Sequence, residues 1–429
     1  MFRFPASVMP VSLRLLGAAA VVCSAMNLVG CGGGSRAKDY QPDRIVVFGD
    51  ENSAFTTATV NTDTSYTIHG LVYTVNSTPV LPGTVYFCGN QTATTVCDAS
   101  STTDLFTSVT NFVATDTNSP QGTAYRLTHA DPVDFNLLTM IAVGTGSNTV
   151  SGTTTDGLPM KRSLDVVYDC SASATWMQTL AHAFGKGFQA DCTKDLAGAV
   201  THATYGAYVA DIQTQINASL NASELGDGTL VAIWAGHNDI IQVYESGTYG
   251  TIDAKVLEIR NRAQLLANMV IQVMNTGAKV VVIGAADLGY SPYGKDKKAA
   301  ITGTPACDSG VSTCNGDLQR MAKEFNDALL LTGLRDYVYQ GRKVAFIDPR
   351  ETTDFLATNS SYVNDRVCDA SKMVQPDGTK NSAVQFCNAL GFVTNGSTAT
   401  YLWADDTHPA WVLHSNIGVS AYNRAANQF

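Results

Sequence analysis

Four short blocks of this chain carry residue types that can do chemistry together: Gly49-Asp50-Glu51-Asn52-Ser53, Asp195-Leu196-Ala197-Gly198-Ala199, Trp234-Ala235-Gly236-His237-Asn238-Asp239 and Asp405-Asp406-Thr407-His408-Pro409. Acyl transfer needs a nucleophile, a base to take its proton, a group that orients the base, and donors for the oxyanion. The last block offers an imidazole and, three residues earlier, a carboxylate able to fix its tautomer. Asn238 offers a carboxamide N–H of the kind that stabilises developing negative charge. Taken alone, Gly236-His237-Asn238-Asp239 also reads as a turn capping the next helix. The first block brings a carboxylate, Glu51, and a hydroxyl, Ser53.

In these blocks the chain resembles the GDSL/SGNH hydrolase superfamily of esterase- and lipase-like enzymes, over residues of about 44–53 and 176–429. The resemblance implies that His408 is the base, that Asp405 orients it, and that Gly198 and Asn238 are the oxyanion donors. Gly185, Gly187 and Gly206 lie close by as alternatives to Gly198. Asp406 is then a solvated loop acid. Of the seven histidines, His408 is the catalytic candidate and His237 can line the pocket. His69, His129, His182, His202 and His414 read as surface or packing residues.

The resemblance breaks at one position. The family's first block reads Gly-Asp-Ser-Leu-Ser with its third residue as nucleophile, and here that residue is Glu51. Three routes stay open. Ser53 can act as a displaced serine, although two residues along a helix turn a side chain by about 200°, and capping the helix is its simpler role. Glu51 can act itself, as carboxylate nucleophile or as a base that directs water onto an ester or glycosyl carbon. Or the site is catalytically silent and binds an acyl or glycan ligand.

The elements that must hold these blocks follow from pattern. Val- and Ile-rich runs at Ile45–Phe48, Leu230–Trp234, Lys279–Ile283 and Val344–Ile347 read as buried strands, most of them ending in Gly or Asp. From Trp176 onward they alternate with helical patterns, which predicts an α/β fold: a three-layer α/β/α sandwich around a parallel sheet. Leu257, Leu265, Leu266, Met269, Val270, Val273 and Met274 recur near helical spacing, with Gly277 as the stop. Ligands bind at the carboxyl ends of strands in such sheets, where the first and third blocks fall. Between about 55 and 169, Thr, Ser, Asn, Val and Gly with alternating stretches predict a β-rich insertion after the first strand.

The N-terminus carries Arg3 and Arg14, an apolar stretch from Leu15 to Val29, and Leu28-Val29-Gly30-Cys31. This is a bacterial lipobox pattern, too short an apolar run to span a bilayer. It predicts a signal peptide over 1–30, lipidation at Cys31, a Gly-rich tether over 31–43 and one hydrolase-like domain over 44–429. The lipid would be the sole membrane attachment, and Gly32 after the cysteine suits a lipoprotein sorted to the outer membrane. Losing Arg3 and Arg14 reduces the 27 basic residues to 25 against 37 acidic ones, a formal net of −12, which disfavours a nucleic-acid partner. Of ten cysteines, eight remain after Cys23 and Cys31, an even number that suits an oxidising compartment. Sequence neighbours suggest Cys88–Cys97, Cys170–Cys192, Cys307–Cys314 and Cys368–Cys387. No phosphate loop, dinucleotide fingerprint or zinc spacing implies a cofactor. The expected partner is an ester-bearing lipid or glycan substrate, and nothing in the sequence fixes an oligomeric state.

Overall fold

The computed structural model of the chain describes residues 40–61, 65–76, 164–167, 174–188, 197–299, 315–339, 343–375 and 380–429. The chain divides into two units, Met1–Tyr40 and Gln41–Phe429, and every strand and helix described lies in the second. In chain order the strands are β1 (Arg44–Gly49), β2 (Phe55–Asn61), β3 (Ser65–Val72), β4 (Leu164–Val167), β5 (Gly187–Phe188), β6 (Gly198–Thr201), β7 (Thr229–Trp234), β8 (Lys279–Ile283), β9 (Val344–Ile347), β10 (Val363–Arg366) and β11 (Tyr401–Trp403). Six of them form one parallel sheet in the order β5-β6-β1-β7-β8-β9.

All four strands expected from the apolar runs lie in this sheet. Every residue of β7 is buried, because helices cover both faces and leave no side of the strand for water. On one face Val46, Phe48, Val231, Ile233, Val280 and Val282 pack with Ile212 and Ile216 of α1 (Ile212–Asn221) and with Val256, Ile259, Leu266 and Val270 of α2 (Ile252–Met274). On the other, the helix Trp176–Ala183 packs against the C-terminal helix Trp411–Gln428, which also lies against β8 and β9. This is the three-layer α/β/α arrangement.

Two details differ from the sequence expectation. Leu257 and Leu265 are 60% and 44% exposed, because the buried face of α2 runs through Val256, Ile259, Ala263, Leu266, Ala267 and Val270, and 3.6 residues per turn carry 257 and 265 off that stripe. The strands β5 and β6, at one end of the sheet, were not expected either. With two and four residues and a glycine opening each, they are too short for an alternation to register.

After β1 the chain turns into a separate three-stranded sheet, in which β2 and β3 are antiparallel and β4 lies parallel to β3. The rest of the β-rich segment lies outside the described residues. Cys368 and Cys387 form a disulfide, whereas the other three suggested pairs and Cys31 lie outside the described residues. Among the described residues no helix is long and apolar enough to cross a membrane.

The sheet register sets up the site. Gly49 and Trp234, the last residues of β1 and β7, are register partners, so the first and third blocks leave the sheet side by side at its carboxyl edge. Only glycine fits at 49: φ is +154° and an added Cβ would lie 2.3 Å from the Trp234 carbonyl oxygen. Gln215 pins the turn from α1, accepting from the Gly49 N–H at 2.8 Å and donating to its carbonyl at 2.9 Å.

Candidate active site

Glu51 opens a short 3₁₀ turn, Glu51–Ser53, whose N-cap is Asp50. Asp50 Oδ1 accepts from the Asn52 backbone N–H at 3.0 Å and from its carboxamide at 2.9 Å. The turn is buried, and the Glu51 side chain is only 5% exposed. Its Oε2 accepts from two donors, the Gly206 backbone N–H at 2.8 Å and Asn238 Nδ2 at 2.9 Å. Its other oxygen, Oε1, faces His408, 3.7 Å from Nε2, a distance beyond hydrogen-bond length. The two oxygens of one carboxylate thus stand in different surroundings, one held by donors and one turned to an imidazole.

His408 is oriented by Asp405 within its own loop. The carboxylate accepts from the backbone N–H of Thr407 at 2.9 Å and of His408 at 2.8 Å, and lies 2.8 Å from the ring Nδ1. The His408 carbonyl accepts from Ala404 N–H at 2.8 Å, and Thr74, just past β3, donates its hydroxyl to the Pro409 carbonyl at 2.7 Å. The small sheet therefore braces the loop that carries the imidazole. Nε2 of His408 is buried with no hydrogen-bond partner among the described residues, which leaves its lone pair or proton uncommitted.

Asn238 sits near the start of the helix His237–Glu245, whose entry needs glycine at 236: φ is +108° and a Cβ would meet the Phe325 ring at 2.5 Å. Asp239, next to it, anchors this helix. Its carboxylate accepts from the Val209 N–H at 2.9 Å and from Arg262 Nη1 at 3.0 Å. Tyr205, 65% exposed, stacks at a tilt with Tyr73, ring centroids 4.8 Å apart. Its phenol pKa is pushed up by burial and then by the charge of Glu51, Tyr73 and Asp405.

The structure brings Glu51, His408, Asp405 and Asn238 together, and it departs from the sequence expectation at two residues. Gly198 is not at the site. It opens β6, so it lies at the amino end of the strand, and an added Cβ would meet the Lys186 side chain at 3.0 Å. The backbone donor is Gly206, beyond the carboxyl end of β6. The signal was the rule that sites gather at the carboxyl edge, which favours a glycine after the strand. Ser53 is turned away: its buried Oγ accepts from Trp176 Nε1 at 3.2 Å, and its carbonyl accepts from the Thr201 hydroxyl at 2.8 Å. The cap is Asp50 rather than Ser53. Asp406 is half exposed and pairs with Arg366 at 2.6 Å.

Burial and charge tune the acids and bases. Burial acts to lower the His408 pKa, but the charge and hydrogen bond of Asp405, with Glu51 and Asp50 adding to them, raise it above the ordinary value. Burial likewise acts against the Asp405 anion, yet His408 and the two backbone donors hold its pKa below the usual carboxylate value. Burial and the neighbouring Glu51 push Asp50 well upward. Burial lowers His237 to about 4 and His414 to about 3, so both are neutral near pH 7. Among the described residues no group of three or more His, Cys, Asp or Glu side chains is placed to hold a metal ion.

A base must be deprotonated, so turnover through His408 is expected to rise as pH climbs through a pKa displaced above 6.5. Asp405→Asn removes the leading influence that raises this pKa. Its acid limb is expected at lower pH than that of the parent, with a lower plateau, as read from pH–rate profiles of the two proteins. An unmoved limb would mean that a group other than His408 is the base.

No protein-family model and no curated protein sequence matches this chain. Solved structures similar to it include two catalytic mutants of Axe2, an acetylxylan esterase from Geobacillus stearothermophilus. One is 12% identical with a TM-score of 0.31, covering 59% of this chain and 81% of that one. The other is 11% identical with a TM-score of 0.31, covering 60% and 82%.

Proposed function

We propose that the chain is a hydrolase acting on ester bonds, with Glu51, His408 and Asp405 as its working groups and Gly206 and Asn238 as its oxyanion donors. The observation that supports this is the split environment of the Glu51 carboxylate, Oε2 on two donors and Oε1 toward an imidazole whose far nitrogen is held by a carboxylate. A residue serving only to fill space has no need of an oriented base beside it. The test is acid release in a pH-stat from a panel of carboxylic, sulfate and sulfonate esters, which registers cleavage of either ester C–O bond. The parent is expected to turn over at least one class, and Glu51→Gln and His408→Ala to lose it while Ser53→Ala keeps it.

A catalytically silent protein that binds an acyl or glycan ligand is the second reading. One observation favours it: Oε2 already occupies both donors, as the oxygen of a bound acid would. Under that reading the parent hydrolyses no ester of the panel and only Glu51→Ser gains activity.

We also propose that the domain works at the cell envelope, exported and held by lipid on Cys31, on the strength of the apolar stretch and the Leu28-Val29-Gly30-Cys31 pattern. Cys31→Ser is then expected to move the protein from the membrane fraction to the soluble fraction of cells, and an unchanged distribution would overturn the anchor.

A further inference from the structure

The donors in this site serve the wrong oxygen for ordinary acyl transfer. When a nucleophile attacks an acyl carbon, the oxyanion develops on the substrate, and the donors must be free to meet it. Here both are spent on Oε2 of Glu51, a part of the protein. Donors fixed on an enzyme's own carboxylate are placed to stabilise an oxyanion only if the tetrahedral carbon is Glu51 Cδ itself. That carbon becomes tetrahedral when water hydrolyses an ester formed on Glu51.

Resting on the hydrolase reading above, we infer that Glu51 Oε1 attacks a saturated carbon of the substrate and that the resulting alkyl ester on Glu51 is hydrolysed with His408 as base. The substrate class is a small electrophile whose saturated carbon bears a good leaving group: an epoxide, an alkyl halide, or an alkyl ester of a strong acid. In the first step an Oε1 lone pair forms the new C–O bond as the leaving group departs with the electron pair of the bond that breaks. In the second, His408 Nε2 takes a proton from water and the oxygen of that water attacks Cδ. Negative charge gathers on Oε2 between the Gly206 N–H and Asn238 Nδ2. Collapse breaks the bond between Cδ and the alkyl-bearing oxygen, and the alkoxide takes the proton back from His408. The second proton of the water is left on the Glu51 carboxyl and passes through solvent to the departed leaving group, which restores the carboxylate. The sum is substrate plus water giving alcohol plus the protonated leaving group, or a diol where the leaving oxygen of an epoxide stays in the product.

The surroundings fit both halves. Oε1 accepts no hydrogen bond from a described residue, so its lone pairs are available, whereas Oε2 is restrained. Glu51 is one of the groups whose charge raises His408. Esterification removes that charge and lowers the pKa of the imidazole at the stage where it must accept a proton. His237, close enough to feel the same charges, is held neutral by burial and adds no cation to compete for Glu51. With the Glu51 and His408 side chains 5% and 11% exposed, the reacting carbon must be slender.

The experiment uses the full chain with styrene oxide and methyl nitrobenzenesulfonate as probes. A single turnover in water enriched in heavy oxygen is followed by mass spectrometry of the alcohol or diol and of the peptide containing Glu51. The alkyl route predicts that the first product carries ordinary oxygen from the protein and that Glu51 gains one heavy oxygen. His408→Gln is expected to stop after the first step and to carry one alkyl group on Glu51. Turnover of panel esters that depends on Glu51 and His408, with solvent oxygen entering the released acid and none entering Glu51, would overturn the alkyl route and leave the hydrolase reading standing. No turnover of probes or panel esters would overturn both. The labelling arm needs only the parent protein, so a His408 variant that fails to fold does not weaken the test.

Discussion

Glu51→Ser is expected to raise hydrolysis of short acyl nitrophenyl esters about 10²- to 10³-fold over the parent. Removing the carboxylate empties the two donors now bound to Oε2, Gly206 N–H at 2.8 Å and Asn238 Nδ2 at 2.9 Å. One well-aimed oxyanion donor is worth about 3–4 kcal/mol to an acyl-transfer transition state, and a carboxylate in its place withholds that and repels the oxyanion as well. The base and its orienting partner are untouched by the substitution, since His408 and Asp405 are held by their own loop. The measurement is initial rate against acyl-chain length for parent, Glu51→Ser and Glu51→Ser/Asn238→Ala. A folded Glu51→Ser with no gain would mean that Gly206 and Asn238 do not form an oxyanion hole. A gain that survives Asn238→Ala would place the donor elsewhere.

That substitution also separates what the sequence makes legible from what it hides. The base block could be read because its geometry is local: Asp405 and His408 are three residues apart, and the same carboxylate that faces the ring accepts from the loop's backbone N–H groups. The buried strands could be read because parallel strands covered on both faces require unbroken Val and Ile runs. The division of labour between the two Glu51 oxygens could not be read. It depends on Gly206 and Asn238, brought from far along the chain by the pairing of β1 with β6 and β7. Gly198 was misplaced for the same reason. Without β6, a strand of four residues, there was no strand end from which to judge which glycine stands at the carboxyl edge.

Ser53 illustrates the converse, a residue type able to do chemistry that the fold uses for something else. The position is 0% exposed, and its Oγ satisfies the Trp176 indole N–H at 3.2 Å. Trp176 in turn meets the Trp234 ring edge-on with centroids 5.8 Å apart, and Trp234 meets His414 in the same manner. This aromatic stack packs behind the turn Glu51–Ser53.

Trp176→Ala is therefore expected to cost about 3–5 kcal/mol of stability, the range for deleting a buried aromatic and leaving a cavity. Ser53→Ala leaves one buried N–H unpaired and is expected to cost about 1–3 kcal/mol. Trp176→Phe removes that donor, so the double variant Trp176→Phe/Ser53→Ala should cost less than the sum of its two single changes, by about 1 kcal/mol if the hydrogen bond couples them. Urea unfolding of the parent and the four variants measures the stability, and turnover per folded molecule measures the chemistry. If Ser53 were the nucleophile, Ser53→Ala would abolish turnover at a denaturant concentration where it remains folded. A residue whose oxygen faces Trp176 instead of His408 predicts the opposite outcome: a lowered unfolding midpoint with turnover retained.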